Sequence, residues 1–371
     1  MVADKFITSY KQEIKLLGTR SRKSSAIGFG VVLVLLPFLL NLDVQMPLNF
    51  PWYSWSTVLN LTVTAVIGAA AFNLLVGNTG QVSLAHAGLL ILGAVSGAWF
   101  GPILGLNFFL VLPITLIIGA LAGFVIALPA LRLKGLYLLL ATLGIYYFAQ
   151  FAYKKFLVSQ FGFLPISFDY PKVPSWVPFL NSGEGEFLID SNFRWYWVNM
   201  PIAILSLLFL SNVIRTSEGR AFAAVKARDN AASLVGVNPV RTKMKVFMLS
   251  SAFVTMSGAM QSWYLGARDE SSFPFQVTLN YAIMIVIGGF SSILGAIFGA
   301  IFFFGVPEWI DWIRNEVPGL RSIEFLSMYK SEINLGVFGI MIVFVLVRSP
   351  EGLFGIWTRI KRYFVNWPFS Q

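Results

Sequence analysis

Two stretches of this chain hold the residue types that could do chemistry, and both lie between long apolar runs. The first is Gly77–Gly88, GNTGQVSLAHAG, with Asn73 one helical turn upstream. Asn73, Asn78, Thr79, Gln81, Ser83 and His86 set amide, hydroxyl and imidazole groups between two apolar stretches. Gly77, Gly80 and Gly88 free the backbone around them. Backbone exposed to lipid has to be hydrogen-bonded within its own element. A polar, glycine-broken segment at that depth therefore belongs inside protein or along a water-filled path. On such a path Gln81, Ser83 and the main-chain amides would hydrogen-bond a polar or zwitterionic solute. The alternative is a cytoplasmic turn in which Ser83 caps the next helix. His86, alone, reads as a neutral hydrogen-bonding residue rather than a proton relay.

The second stretch is Ser217–Val237, SEGRAFAAVKARDNAASLVGV, a charged, alanine-rich island. Ser217 is a candidate cap for a helix with Glu218 in its first turn. Ala221, Ala224, Val225 and Arg228 then share a face. Asp229 and Asn230 offer a break and a fresh cap, and Gly236 a stop. The pattern predicts two short helices meeting at a corner outside the bilayer. Such a corner is either an ordinary solvated loop or a handle for another protein.

What is missing narrows the chemistry. No G-x-x-x-x-G-K-[ST] loop occurs, so ATP is not bound by that route. No paired catalytic carboxylates and no G-x-S-x-G elbow appear. With no cysteine and one histidine, the chain has no disulfide, no thiolate metal site and no histidine cluster. An enzyme is unsupported, and no cofactor is expected on this chain. No run of acidic residues is seen inside the predicted spans, which argues against proton or sodium coupling.

The elements that position these stretches are membrane helices. Only 12% of the 371 residues are charged, half the usual share for a soluble domain. The net charge of +10 comes from Lys and Arg placed between apolar runs, where they set topology and do not indicate nucleic-acid binding. Apolar runs near the ~20 residues needed to span fall at Ile27–Leu42, Ser56–Val76, His86–Leu104, Phe108–Leu131, Leu136–Tyr153, Tyr196–Ile214, Val246–Gly266, Leu279–Phe290, Leu294–Val306 and Leu335–Val347. The fold expected is an all-α polytopic membrane protein of about ten helices, a single permease domain over residues 1–371. The basic N-terminal segment, residues 1–25, precedes an apolar run without a small-x-small cleavage site, so that run reads as a retained first span. With this end cytoplasmic, Arg132 and Lys134, the loop 215–245 and the tail 349–371 also fall inside. Lys154 and Lys155 are the exception, at an outer helix end from which they would snorkel. Residues 160–195 form an external interval rich in aromatics and acids, either an aromatic belt with a solvated loop or a docking surface for an external protein.

A second glycine-rich segment, Gly288–Gly289–Phe290–Ser291–Ser292 followed by Gly295-x-x-x-Gly299, reads as a close helix-packing face rather than a solute contact. Met260, Gln261 and Asn280 are scattered polarity that would face a path. The two glycine-rich segments fall in halves whose spans start on opposite sides. That is the pattern of an inverted-repeat transporter.

FNLLVGNTGQVSLAHAGLLILGA and EGRAFAAVKARDNAASLVGVNPVRTKMKVFMLSSAFVTMSGAM, the latter followed by IVIGGFSSILGAIFGA, resemble the permease blocks of the LivM type in branched-chain and neutral amino-acid ABC importers. The resemblance runs from about Asn60 to Gly355, and the long aromatic outer interval and extended N-terminus depart from it. It implies a bacterial inner-membrane assembly: a second, LivH-type permease, two ATP-binding subunits that use ATP, and a periplasmic solute-binding protein. It implies that Glu218, Gly219, Arg220, Ala224, Arg228, Asp229, Ala232 and Gly236 belong to the element that the ATPase grips. Arg220, Arg228 and Asp229 would make polar contacts there, and Ala224 and Gly236 would allow close approach. Close relatives of that family carry urea, and a self-contained facilitator for a small polar solute remains the alternative.

Overall fold

The computed structural model describes residues 52–131, 133, 135–158, 166–167, 191–268, 272–316 and 330–366, together with positions 33, 35 and 37. Twelve helices are named here: α1 (Trp52–Thr79), α2 (His86–Ala98), α3 (Phe108–Ala130), α4 (Leu136–Ala152), α5 (Asn192–Arg215), α6 (Ser217–Ala227), α7 (Asp229–Leu234), α8 (Pro239–Leu265), α9 (Phe275–Gly288), α10 (Ile293–Glu316), α11 (Lys330–Arg348) and α12 (Gly352–Asn366). Helices α2 and α4 each run on into a short π-helical turn, Trp99–Ile103 and Tyr153–Val158. A two-residue antiparallel pairing, β1 (Ile166–Ser167) with β2 (Ala267–Arg268), joins the external interval to the end of α8.

Helices α1 and α8 form the centre. Helix α8 lies against α1, α2 and α3, and α1 against α5 and α10 as well. Helix α8 is too rich in Ser, Thr and Gly to qualify as a span by composition, yet it is buried almost without interruption from Ser250 to Trp263. Enclosure explains the composition: lipid tails are as apolar as leucine, so membrane helices gain by packing small residues backbone to backbone. A Cβ on Gly93 would lie 2.0 Å from the carbonyl oxygen of Thr255, and one on Gly258 2.4 Å from that of Leu90. Ser250 donates to Ala71 O at 2.8 Å and Ser257 to Thr64 O at 2.8 Å, so the hydroxyls of α8 use carbonyls of α1.

Among the described residues six helices are long and apolar enough to cross a membrane, and a seventh span is made if α11 and α12, bent by 49°, count together. That is fewer than the ten expected. The shortfall has physical causes: α8 is polar because it is enclosed, and α9 has 14 residues before the glycine pair breaks it. The first expected span, Ile27–Leu42, lies outside the described residues except for three helical positions. Tyr196 donates its hydroxyl to the Leu33 carbonyl at 2.7 Å.

Three expectations are corrected here. Trp195 and Tyr196 belong neither to a belt nor to a docking surface. They are buried, with Trp195 against Phe108 and Tyr264 at ring distances of 5.8 and 5.7 Å. Most of the external interval, including Phe161, Phe163, Tyr170 and Trp176, lies outside the described residues. Met260 and Gln261 are core: Met260 is fully enclosed and Gln261 donates to the Tyr281 hydroxyl at 2.7 Å. Helix α10 runs past the span end expected at Val306, to Glu316, and Asp311 pairs with Arg314 at 2.5 Å near its end.

The backbone contact between α2 and α8 predicts a paired result. Gly93→Ala should cost at least about 1–3 kcal/mol by overpacking, whereas Gly144→Ala, with nothing within 4 Å of its Cβ position, should be neutral. Thermal unfolding of the detergent-solubilised chain separates the two.

Candidate functional site: the helical corner and its clamp

The charged island folds as two short helices. The first residue of α6 is Ser217. Its N-cap is Thr216, which spends its hydroxyl on Val213 O at 2.7 Å, so the predicted cap at Ser217 is one residue late. Likewise the break falls at Arg228, in extended backbone, and Asp229 opens α7 rather than capping it. Gly236 does stop the pair, at φ +83°, with Val237 N reaching back to Ala232 O at 3.0 Å. Its Cβ position meets nothing within 4 Å. The glycine therefore serves the left-handed turn.

The corner is held to the bundle along one face. Gly219, Phe222 and Val225 of α6 and Ala232 of α7 are buried. A Cβ on Gly219 would lie 1.8 Å from the Ile214 carbonyl oxygen, so only glycine lets α6 fold back tightly on the end of α5. Of the face expected from sequence, Val225 is buried, Ala221 and Ala224 are half-buried and Arg228 is exposed. Two ion pairs tie the corner to the start of α8: Asp229 with Lys243 at 2.6 Å, and Glu218 with Lys245 at 2.5 Å. Asp229 thus spends part of its carboxylate inside the chain. Arg220 and Arg228 are exposed, and beyond them Leu234 and Val235 stand out with 88% and 75% of their surface free. The corner is thus polar along its exposed side and ends in an apolar knuckle.

Inward, the corner is latched to both glycine-rich segments. Lys226 donates to Gly77 O at 2.6 Å and to the Ser291 hydroxyl at 3.0 Å. Ser291, the one non-glycine described with positive φ, at 63°, in turn donates to Gly77 O. Asn73 completes the clamp. Its amide NH2 donates to Ser292 O at 2.8 Å and Gly289 O at 3.2 Å, and its carbonyl accepts from Ser291 N at 3.0 Å. Asn73, one of the residues considered for a solute path, is therefore occupied in joining α1 to the turn between α9 and α10. Sequence reading passes over Lys226 and gives Ser291 only a place in a helix-packing segment, because their partners lie 149 and 214 residues away.

The other path residues are distributed differently. Asn78 and Gln81 are half-buried. Ser83 is buried and accepts from Ala85 N at 3.3 Å; the N-cap of α2 is Ala85, so Ser83 does not cap that helix. The free amides at the start of α2 are met from neighbouring helices: Leu84 N by Thr142 at 2.8 Å and Ala87 N by Thr278 at 3.0 Å. The segment is thus enclosed by protein from Ser83 onward, whereas Gly80 and Val82 before it are exposed. His86 is buried between the rings of Phe72 and Tyr281, at 4.7 and 4.1 Å, with no described partner for Nε2. The Gly295–Gly299 face packs as expected: Cβ atoms on Gly288 and Gly299 would lie 1.9 and 1.8 Å from carbonyl oxygens of the facing helix.

Among the described residues the chain is a multi-pass helical bundle carrying a two-helix corner latched to one end of it, an architecture that fits a membrane permease subunit. Comparison with known proteins gives the particular kind. Residues 54–346 match the family described as branched-chain amino acid transport system / permease component, and the chain belongs to that family. It is 26% identical over 313 residues to the high-affinity branched-chain amino acid transport system permease protein LivM of Salmonella typhimurium, and equally to that of Escherichia coli, covering 80% of this chain and 69% of theirs. A probable LivM of Methanocaldococcus jannaschii is 25% identical over 262 residues, 68% of this chain and 70% of its own. The xylose transport system permease protein XylH of Escherichia coli is 35% identical over a shorter stretch of 112 residues, 28% of each chain. No solved structure matches the chain.

The clamp predicts that Asn73→Leu is far more damaging than its size suggests. Two carbonyls and one N–H would lose their partner, at about 1–3 kcal/mol for each buried group left unpaired. The expected outcome is a large drop in melting temperature of the purified chain.

Proposed function

We propose that this chain is one permease subunit of an ATP-driven importer of branched-chain or other neutral amino acids. The observation that carries the reading is the corner. It presents Arg220, Arg228, Leu234 and Val235 outward, while Lys226 of α6 grips Gly77 and Ser291 at the end of the bundle. A soluble motor pulling on the corner would move the end of α1 and the α9–α10 turn together. The chain carries no phosphate loop of its own. ATP would therefore be used by two separate ATP-binding subunits, each seated on such a corner, and this chain would bind no cofactor itself.

A second permease, of the LivH type, completes the pore in this reading. The interior of one chain offers a zwitterion little. Ser250, Ser257 and Gln261 of α8 are taken up by α1 and α9, which leaves the small buried hydroxyls of Thr255 and Ser262 without a partner among the described residues. The cavity of about 440 Å³ between α2, α3 and α4 is lined by Leu89, Ile91, Val95, Val125, Ile126 and Phe148 among other apolar groups. A polar path would then lie where two permeases face each other, with Asn78 and Gln81 as its candidate contacts. A periplasmic solute-binding protein would deliver the amino acid to the opposite face. The corner end of the bundle, with residues 1–25 and the tail, faces the cytoplasm of a bacterial inner membrane.

Reconstitution in liposomes tests this directly. The chain alone should give no leucine flux. The full assembly with binding protein and ATP should accumulate leucine. Leu234→Asp with Val235→Asp should abolish both uptake and retention of the ATP-binding subunits while leaving membrane insertion intact. Lys226→Met should differ: the ATPase stays bound and hydrolyses ATP, but uptake falls at least tenfold. Leucine flux through the chain alone, or normal uptake in the knuckle variant, overturns the proposal.

A further inference from the structure

Helix α12 is not used by any part of the transport reading, yet it is the most one-sided helix described. After α11 the chain turns by 49° through Ser349, Pro350 and Glu351, with Gly352 at φ +73°. Along α12, Leu353, Ile356, Trp357 and Ile360 follow a three-four spacing that makes an apolar stripe. Arg359 and Arg362 lie on the opposite side and Lys361 at the stripe's border. The stripe is only partly used by the bundle. Trp357 touches Phe298 of α10 at 6.0 Å but keeps 47% of its surface free, Ile360 keeps 46% and Tyr363 64%. Arg348, Arg359, Lys361 and Arg362 are all exposed, against the single carboxylate of Glu351 in the same stretch.

We propose that α12 lies in the plane of the membrane surface at the corner end of the bundle and binds anionic phospholipid headgroups. A half-free apolar stripe with indole and phenol groups, flanked by cations and placed directly after a membrane helix, is what an interfacial helix requires. Trp and Tyr favour the headgroup level, and each Lys or Arg near an anionic surface strengthens binding by about fivefold at typical ionic strength. A soluble protein groove would satisfy the stripe equally well. The cations instead sit beside an apolar face that begins five residues beyond the end of the apolar helix α11 at Arg348, where anionic lipid is within reach by construction.

The placement gives the contact a consequence. The start of α12 is seated on the glycine turn that the clamp holds. A Cβ on Gly352 would lie 2.5 Å from Ile287 O, and one on Gly289 2.8 Å from Glu351 O. Anionic lipid on α12 therefore bears on the same turn that Asn73, Ser291 and Lys226 share. The inference rests on the corner end facing the cytoplasm, as proposed above, and does not depend on the solute.

The chain has no cysteine, so a single fluorophore can be placed at Ile360→Cys or Arg362→Cys in the full-length protein. These variants are reconstituted in phosphatidylcholine vesicles with or without phosphatidylglycerol, carrying a nitroxide at a shallow acyl position. The expected result is at least twofold stronger quenching at Ile360 than at Arg362. The difference should require phosphatidylglycerol and be lost in Arg359→Gln with Lys361→Gln and Arg362→Gln, read from the Ile360 probe. Equal quenching at both positions, or quenching indifferent to phosphatidylglycerol, overturns the proposal. Shielding of the Ile360 probe only after the ATP-binding subunits are added also overturns it and assigns the face to protein. Loss of transport with lipid contact intact would count against the importer reading alone.

Discussion

Everything in this bundle answers to the absence of water around its backbone. In hydrocarbon a broken helix has no solvent to take up its free carbonyls and amides. The chain breaks twice near the corner, after Thr79 and at Gly288–Ser292, and both breaks are repaired by side chains from elsewhere. Asn73 spans the second break with three hydrogen bonds. Thr142 and Thr278 supply the acceptors for the start of α2. Because each repair reaches across helices, the two breaks cannot move independently. A motion imposed at one is felt at the other through Asn73, Ser291 and the Gly77 carbonyl.

Glycine sets how close these parts can come. At Gly77 a Cβ would fall 2.5 Å from the Ser291 amide nitrogen, and at Gly288 and Gly299 the helices α9 and α10 touch backbone to backbone. Contacts of that kind have little tolerance for small shifts. Packed interfaces tend to hold one of a few discrete arrangements rather than deform smoothly. This is the mechanical property the proposed driven permease needs: a force at Leu234 or Val235 would be transmitted as displacement of helices rather than absorbed in loose side chains.

How much of this was legible in the sequence depends on the range of each interaction. The corner was readable because its signals are local: Glu218 in a first turn, a polar break near Arg228 and a glycine at the stop. Errors there were of one residue, as between Ser217 and Thr216. Gly295 and Gly299 were readable because their spacing is itself the packing face. The clamp was not, since Lys226 meets Gly77 and Ser291 only after folding. Asn73 was noticed for its polarity and read as a path residue, because polarity in a span does not reveal whether its partner is a solute or another helix. Trp195 shows the same limit for aromatics. Composition near a helix start resembles an interfacial belt, whereas Phe108 and Tyr264 enclose it.

The count of spans failed for a related reason. Hydropathy measures what a helix would prefer if lipid surrounded it, and α8 is not surrounded by lipid. Its Ser250 and Ser257 are matched to carbonyls of α1, and its Gly258 to the backbone of α2. A helix at the centre of a membrane bundle can be polar where protein partners take up most of its polar groups, as they do for Ser250, Ser257 and Gln261 though not for the hydroxyls of Thr255 and Ser262. The same rule bears on where solute can go. A zwitterionic amino acid needs groups that are free to bind it, and the centre of this chain has largely committed its own. The uncommitted polarity of Asn78 and Gln81 lies at the margin of the bundle, so the chemistry of passage is expected to belong to a pair of permeases rather than to one.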